Sequence, residues 1–324
     1  CPSKKKDAII PEDTLTIASG AFYNCTVLSN VVFNSSVGSI GGSAFFKCNS
    51  LLKIEIPQSV TNIGGAAFRD CAGLTNIVIP ENVASIESSV FDGCTSLKSI
   101  SILNPFVEVC NSMLHDEEGS LEEVVVPQCA CERSNGIKFL FPGQYSKIRQ
   151  IRIANGVTNI TRFAFSGCES MTEILIPNTV TQIGEHAFDN CPSIKTIYIG
   201  SSVQSIGTRA FYDCLALESF SVSASNAYFY ADQNGVLYKY ARDEAGELIL
   251  GSDGSMSVDT LICYPAALQR NAYTVMSSVT TISSGAFAKN THLIRVILPS
   301  TVDAVRDEVF AGCTNLAEIY FKGI

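Results

Sequence analysis

Long apolar runs, an excess of positive charge and the residue patterns of common active sites are all missing from this sequence. No stretch reaches the roughly 18 apolar residues that a membrane-spanning helix requires, so the sequence predicts no transmembrane segment. Lys and Arg number 22 against 31 Asp and Glu, a formal net charge of -9. That sign opposes binding to a phosphate backbone or an anionic bilayer and argues against nucleic acid as a partner. Histidine is scarce, with only His115, His186 and His292. There is no Gly-x-Ser-x-Gly elbow, phosphate loop, dinucleotide fingerprint or His-Glu-x-x-His pair. The expectation is therefore a non-enzyme, with no catalytic residue, no metal and no cofactor.

What is present is apolar and repetitive. Hydrophobic residues make up 46% of the 324 and charged residues 16%, enough to bury a sizeable core and too apolar for a disordered chain. The motif Ala-Phe-x-x-Cys recurs as AFYNC at 21–25, AFFKC at 44–48, AFRDC at 67–71 and VFDGC at 90–94. It returns as AFSGC at 164–168, AFDNC at 187–191, AFYDC at 210–214, AFAKN at 286–290 and VFAGC at 309–313. Within each block the spacing is 23 residues, the mark of stacked supersecondary units that grow along one axis.

Each copy carries a strand-like half. Leu51, Ile54, Ile56 and Pro57, or Met171, Ile174, Ile176 and Pro177, place two residues inward and the one between them outward, with Pro ending the strand where a lost N–H matters least. A second half reads Val-Thr-x-Ile-Gly, as at Val60 to Gly64 and Val180 to Gly184, with Gly expected to turn the backbone sharply. One repeat is one coil, and its apolar side is buried only against neighbouring coils. The Phe column, including Phe45, Phe68, Phe91, Phe188 and Phe211, is then expected to form a continuous aromatic spine in the core.

The combined pattern L-x-x-I-x-I-P-x-x-V-x-x-I-G-x-x-A-F-x-x-C resembles the Treponema-type leucine-rich repeats of BspA-like bacterial surface proteins, also found in trichomonad surface proteins. The resemblance covers nearly the whole chain. It implies a leucine-rich-repeat solenoid, right-handed and β-rich, with one short strand per 23-residue coil and turn, 3-10 or short helical segments opposite. It also implies an exported bacterial protein of the cell surface, outer membrane or medium, with protein or glycan partners that include host extracellular matrix. The start at Cys1, followed by Ser3 and Lys4 to Lys6, resembles a lipoprotein cut at its lipidated cysteine; an arbitrary boundary accounts for it equally well.

The count fails twice. Phe91 to Phe165 is three periods plus five residues, and Phe211 to Phe287 is three periods plus seven. A single solenoid over 1–324 is expected to have regular coils at about 10–102, irregular coils at 103–150, regular coils at 151–222, a hairpin-like insertion at 223–275 and regular coils at 276–324. Residues 103–120 and 128–147 read as irregular loops. Tyr228 to Lys239 and Thr260 to Pro265 read as two strands of one long hairpin, joined by an excursion at 241–259. Loops of that length are where function or mobility concentrates.

Eight of the 13 cysteines share one column, and free buried thiols, acting as small hydrophobes whose polar edge meets backbone, suit it best. Cys110, Cys129 and Cys131 near His115 leave three readings open: free thiols, a disulfide from Cys110 to Cys129 or Cys131, or a zinc site of non-standard spacing. His186 precedes an Ala-Phe anchor where other coils carry Ala66, Ser89 or Arg209, which predicts a solvent-facing side chain. The acidic cluster from Asp116 to Glu123 reads as a solvated loop. The outward position of each strand supplies the candidate binding residues: Glu55, Val78, Arg152, Leu175, Tyr198, Ile297 and Tyr320. Large apolar residues at water-facing positions mark interaction sites, although β-branched residues also suit strands for their own sake. The rival functions are a structural spacer without a ligand and an enzyme hosted by the loops.

Overall fold

A computed structural model describes residues 6–251 and 254–322; Cys1, and with it the lipidation question, lies outside the described residues. The chain divides into two compact units, Cys1–Val157 and Thr158–Ile324. Each is a stack of coils with parallel strands, a leucine-rich-repeat solenoid.

In the first unit, strands Asn76–Ile79, Ser99–Ile102, Glu123–Val126 and Gln150–Ile153 pair in parallel in chain order. Their alternation is the one the sequence predicts: Ile77, Ile79, Ile100 and Ile102 are buried while Val78 between them faces out. The Val-Thr-x-Ile half forms a second parallel ladder of two-residue strands, Thr16–Ile17, Ser39–Ile40, Asn62–Ile63, Ser85–Ile86 and Glu108–Val109. The role expected of Gly64 needs correcting. A Cβ there would sit 2.5 Å from Gly42 N of the neighbouring coil, so Gly is required by close stacking of backbones and not by a sharp turn.

The Ala-Phe-x-x-Cys segment forms a third, hydrogen-bonded side that the sequence reading did not anticipate. Ser43 N, Phe45 N and Lys47 N donate to Gly65 O, Ala67 O and Arg69 O of the next coil at 2.8, 2.8 and 2.9 Å. Aiming those amides along the stack puts two residues per coil in the left-handed region, such as Ala66 at φ 55° and Asp70 at φ 58°. A residue with a Cβ resists that conformation by about 1–2 kcal/mol, and the inter-coil hydrogen bonds hold it in place. The sequence did carry the signal: Gly20 and Gly285 occupy the first of these positions, and Gly93, Gly167 and Gly312 the second.

The Phe column is core, and its rings stack nearly parallel. Centroids are 5.1 Å apart for Phe22–Phe45, 5.5 Å for Phe45–Phe68 and 5.8 Å for Phe68–Phe91. The spine is not continuous, however. After Phe91 its place passes to Met113 and Leu114, since Phe91 N donates to Met113 O as Phe68 N donates to Val90 O. In the second unit it runs as Phe165–Phe188–Phe211 and again as Tyr264–Phe287–Phe310.

Of the two segments expected to be irregular, 103–120 holds a single strand, Glu108–Val109, which continues the short-strand ladder, whereas 128–147 is ordered as helices Gln128–Glu132 and Gly136–Leu140 and the 3-10 turn Tyr145–Lys147. Their apolar anchors, Ile137, Leu140 and Phe141, are buried, but at a spacing that no repeat template reveals. In the second unit, 228–239 is a complete hairpin rather than one strand: Phe229–Ala231 pairs antiparallel with Leu237–Tyr240. Asp232 makes the turn by accepting from Asn234 N and Val236 N at 2.8 and 2.9 Å, an Asx-turn. Tyr273 OH donates to the same carboxylate at 2.8 Å and lies 2.5 Å from Tyr238 OH, which ties the hairpin to the buried cluster. Leu237–Tyr240 then pairs antiparallel with Val258–Cys263, which returns to the parallel short-strand ladder through Thr281–Ile282.

Candidate binding surface

Strand pairing aligns the predicted outward residues within each unit. In the first, Val78, Ser101, Val125 and Arg152 are successive Cα partners across four strands. The bridge of Lys53 to Asn76 puts Glu55 in the same row. Glu55 lies 3.5 Å from Lys53, both almost fully in water, where such a pair adds little stability. In the second unit, Tyr198 pairs with Ser221 and Ile297 with Tyr320, while Leu175 ends strand Glu173–Leu175. Val78, Leu175, Tyr198 and Tyr320 are 50, 44, 45 and 50% exposed. Arg152 is exposed, whereas Ile297 is half-buried. Tyr320 has the guanidinium of Arg295 over its ring at 5.5 Å, and Arg295 pairs with Glu318, so this aromatic face is held in place.

The columns behind this face are inert. Burial pushes the thiols of Cys48 and Cys71 up to about 12, and that of Cys94 well above its usual range. Each donates to a Phe carbonyl one coil back, as Cys71 Sγ does to Phe45 O at 3.1 Å and Cys214 Sγ to Phe188 O at 3.3 Å. Cys110 and Cys129 are free thiols, exposed and half-buried, and Cys131 is buried, so the disulfide expected from Cys110 is not formed. Among the described residues no three His, Cys, Asp or Glu side chains gather as a metal ion would need.

Two expectations about polar residues need revision. His186 is not solvent-facing: it stacks on Phe163 at 4.9 Å, and its Nδ1 is 3.1 Å from Asp189 Oδ2. The left-handed backbone at 186 lays the ring along the neighbouring coil. His115 Nδ1 likewise meets Asp92 Oδ1 at 3.0 Å, and Asp116 accepts from Gly93 N, so the acidic cluster begins with a structural residue.

Sequence reasoning missed a charged and aromatic cluster on the turn side of the second unit. Arg209 pairs with Glu308 at 3.1 Å and Lys289 with Asp213 at 3.3 Å. Tyr212 lies beneath both cations, 5.5 Å from the Arg209 guanidinium and 5.9 Å from Lys289 Nζ. The only advance sign was the failed residue count between Phe211 and Phe287.

No helix among the described residues is long and apolar enough to cross a membrane. Among solved structures, the chain is similar to a leucine rich cell surface protein from Faecalibacterium prausnitzii, at 24% identity and a TM-score of 0.51, over 98% of this chain and 69% of that one. A leucine-rich repeat protein from Bacteroides ovatus aligns at 23% identity and TM-score 0.47, over 97% of this chain and 72% of that one. The pneumococcal vaccine antigen PcpA aligns at 17% identity and TM-score 0.35, over 98% of this chain and 61% of that one. The first of these is a likeness of fold. No curated protein matches the chain. The model of the BspA type leucine rich repeat region matches in six copies over residues 3–129, 138–232 and 268–323. With the strand rows, the Phe stacks and the Cys column repeating at the same period, the chain belongs to the BspA-type leucine-rich repeat family.

Proposed function

We propose that this chain is an exported, non-enzymatic bacterial surface protein that binds a protein or glycan partner through its strand faces. The observation that carries the reading is the row of exposed large side chains at positions where a solvated strand needs none: Val78 in one unit, and Leu175, Tyr198 and Tyr320 in the other. Tyr and Arg dominate binding hot spots because they combine large contact area with a polar tip, and Tyr320 with Arg295 supplies both. Regular coils at 10–102, 151–222 and 276–324 act as scaffold, and the stretches 103–150 and 223–275 add specificity. Glu55, Arg152 and Ile297 complete the contact rows.

The test is binding of the purified chain to arrays of host matrix proteins and glycans, repeated with Tyr198→Ala and with Tyr320→Ala. A contact at the strand face loses tenfold or more on these changes, about 1.4 kcal/mol. Binding that survives both unchanged moves the site off the strand face, and a chain that binds nothing is a spacer.

A further inference from the structure

One coil of the second unit is two residues short at a corner. Leu261 pairs with Ile282 in the short-strand ladder, as Ile63 pairs with Ile86. Tyr264 N donates to Ala286 O in the turn ladder, as Phe68 N donates to Val90 O. Between those fixed points a regular coil places four residues, 64–67, whereas this coil has only Ile262 and Cys263. The corner it leaves is a cleft of about 220 Å³, lined by Gly207–Asp213 on one side, by Ser283, Ser284 and Gly285 on the other, and by Cys263 and Tyr264.

The shortfall orphans donors. In the preceding coil, His186 N, Phe188 N and Asn190 N donate to Thr208 O, Ala210 O and Tyr212 O at 3.2, 2.8 and 3.0 Å. The corresponding amides of Arg209, Phe211 and Asp213 have no acceptor among the described residues. Arg209 Nε is buried and has none either. Amides that line a cleft without a protein acceptor offer their partial positive charge to whatever occupies it, and oriented backbone amides of this kind favour anions. The nearby acids do not use these donors, because Asp213 is held by Lys289 and Glu308 meets the far end of the Arg209 guanidinium. Thr208, Ser283 and Ser284 hydroxyls and the Arg306 side chain add further donors to the lining.

We propose that this cleft binds a small carboxylate. A carboxylate presents two oxygens in one plane, which suits the backbone amides of Arg209, Phe211 and Asp213, and it supplies acceptors of the kind the missing corner would have contributed, while the Arg209 side chain lines the same cleft with its positive charge. At about 30 Å³ per water, the space holds roughly seven waters, the size of an acid of two to four carbons. The site is independent of the strand face, and it is a local concentration of donors on a chain of net charge -9.

Titration of the whole chain with lactate and pyruvate, followed by ¹H–¹⁵N spectra and calorimetry, tests it. Lactate is expected to bind saturably, to shift the Arg209, Phe211 and Asp213 amide resonances, and to bind at least tenfold more tightly than lactamide. Arg209→Gln is expected to weaken lactate tenfold or more. Inserting two glycines between Ile262 and Cys263, which restores the 23-residue count, is expected to abolish binding, and Arg209→Gln keeps the question decidable if the insertion does not fold. The proposal is overturned if lactate and lactamide bind alike, if inorganic phosphate binds but neither carboxylate does, or if Arg209→Gln behaves as the parent. Shifts that map elsewhere, or no binding at tens of millimolar, overturn it equally.

Discussion

The cysteine column makes stability depend on alkaline pH in a calculable way. Burial of Cys71 among stacked coils pushes its thiol from an ordinary 9.0 up to about 12, because a thiolate there would lose its water. A thiol whose folded pKa lies above its unfolded value favours folding while protonated. Its contribution is intact below pH 9 and disappears as the pH rises through 12. At pH 11 the unfolded thiol is almost fully ionised and the folded one is not, so Cys71 alone costs the fold about 3 kcal/mol relative to pH 7.5. That is a large share of the roughly 5–15 kcal/mol by which folded domains are stable.

Tyr and Lys titration also acts in this range, so the informative quantity is a difference. Cys71→Ala removes the thiol while leaving the other groups in place. Urea unfolding of both forms by circular dichroism at pH 7.5 and pH 11 gives their stability gap at each pH. At pH 7.5 the parent is the more stable, by the packing and hydrogen bond to Phe45 O that the thiol supplies. At pH 11 the gap moves by about 3 kcal/mol in favour of the variant. A gap that stays constant between the two pH values would refute the reasoning, since it would mean that the thiol ionises as readily in the coil as in the unfolded chain.

Two further perturbations separate the other columns. Phe68 is fully buried with a ring on either side, so Phe68→Ala is expected to lower unfolding free energy by about 3–5 kcal/mol, while Phe22→Ala, with one ring neighbour and partial exposure, costs less than half as much; equal urea midpoints would sink the stacking argument. Gly93 has φ 76°, and a Cβ there would fall 2.0 Å from Asp70 Oδ1 and 3.0 Å from Asp70 Cα. Gly93→Ala should therefore destabilise by at least about 2 kcal/mol, whereas Asp70→Gly, at the same turn position one coil earlier, is expected to be neutral or stabilising, both read from denaturant midpoints.

What could be read in the sequence was whatever repeats at a fixed count. Ile77 and Ile79 inward with Val78 outward, the Phe stacks and the buried thiols all follow from a period and an alternation. The turn ladder was legible only through scattered glycines such as Gly20 and Gly93, because in other coils the same left-handed turns are made by residues with a Cβ, such as Ala66 and Asp70. The helical stretch 128–147 was hidden for the opposite reason: Ile137, Leu140 and Phe141 are anchored without any template to align them. The strand-face candidates were legible as positions, but register alone decided that Tyr198 meets Ser221 and Ile297 meets Tyr320.

The coil that is short at the cleft is also the one that faces Asn290, the one Ala-Phe anchor that ends without cysteine. A column thiol has a single donor, enough where the preceding coil offers one Phe carbonyl, as Phe45 does to Cys71. The coil before Asn290 presents Pro265 O, Ala266 O and Leu268 O together; Asn290 Nδ2 meets all three at 3.0–3.1 Å. Its Oδ1 accepts from His292 N and Leu293 N at 2.9 and 2.8 Å, so a fully buried amide does with five contacts what one S–H could not. A departure in the Cys column thus reports a change in the backbone of the coil beneath it. In a stacked solenoid each position answers to its neighbour 23 residues away, so a break in one column points to where the next coil has lost or gained residues, and that is where a corner is free to take a ligand.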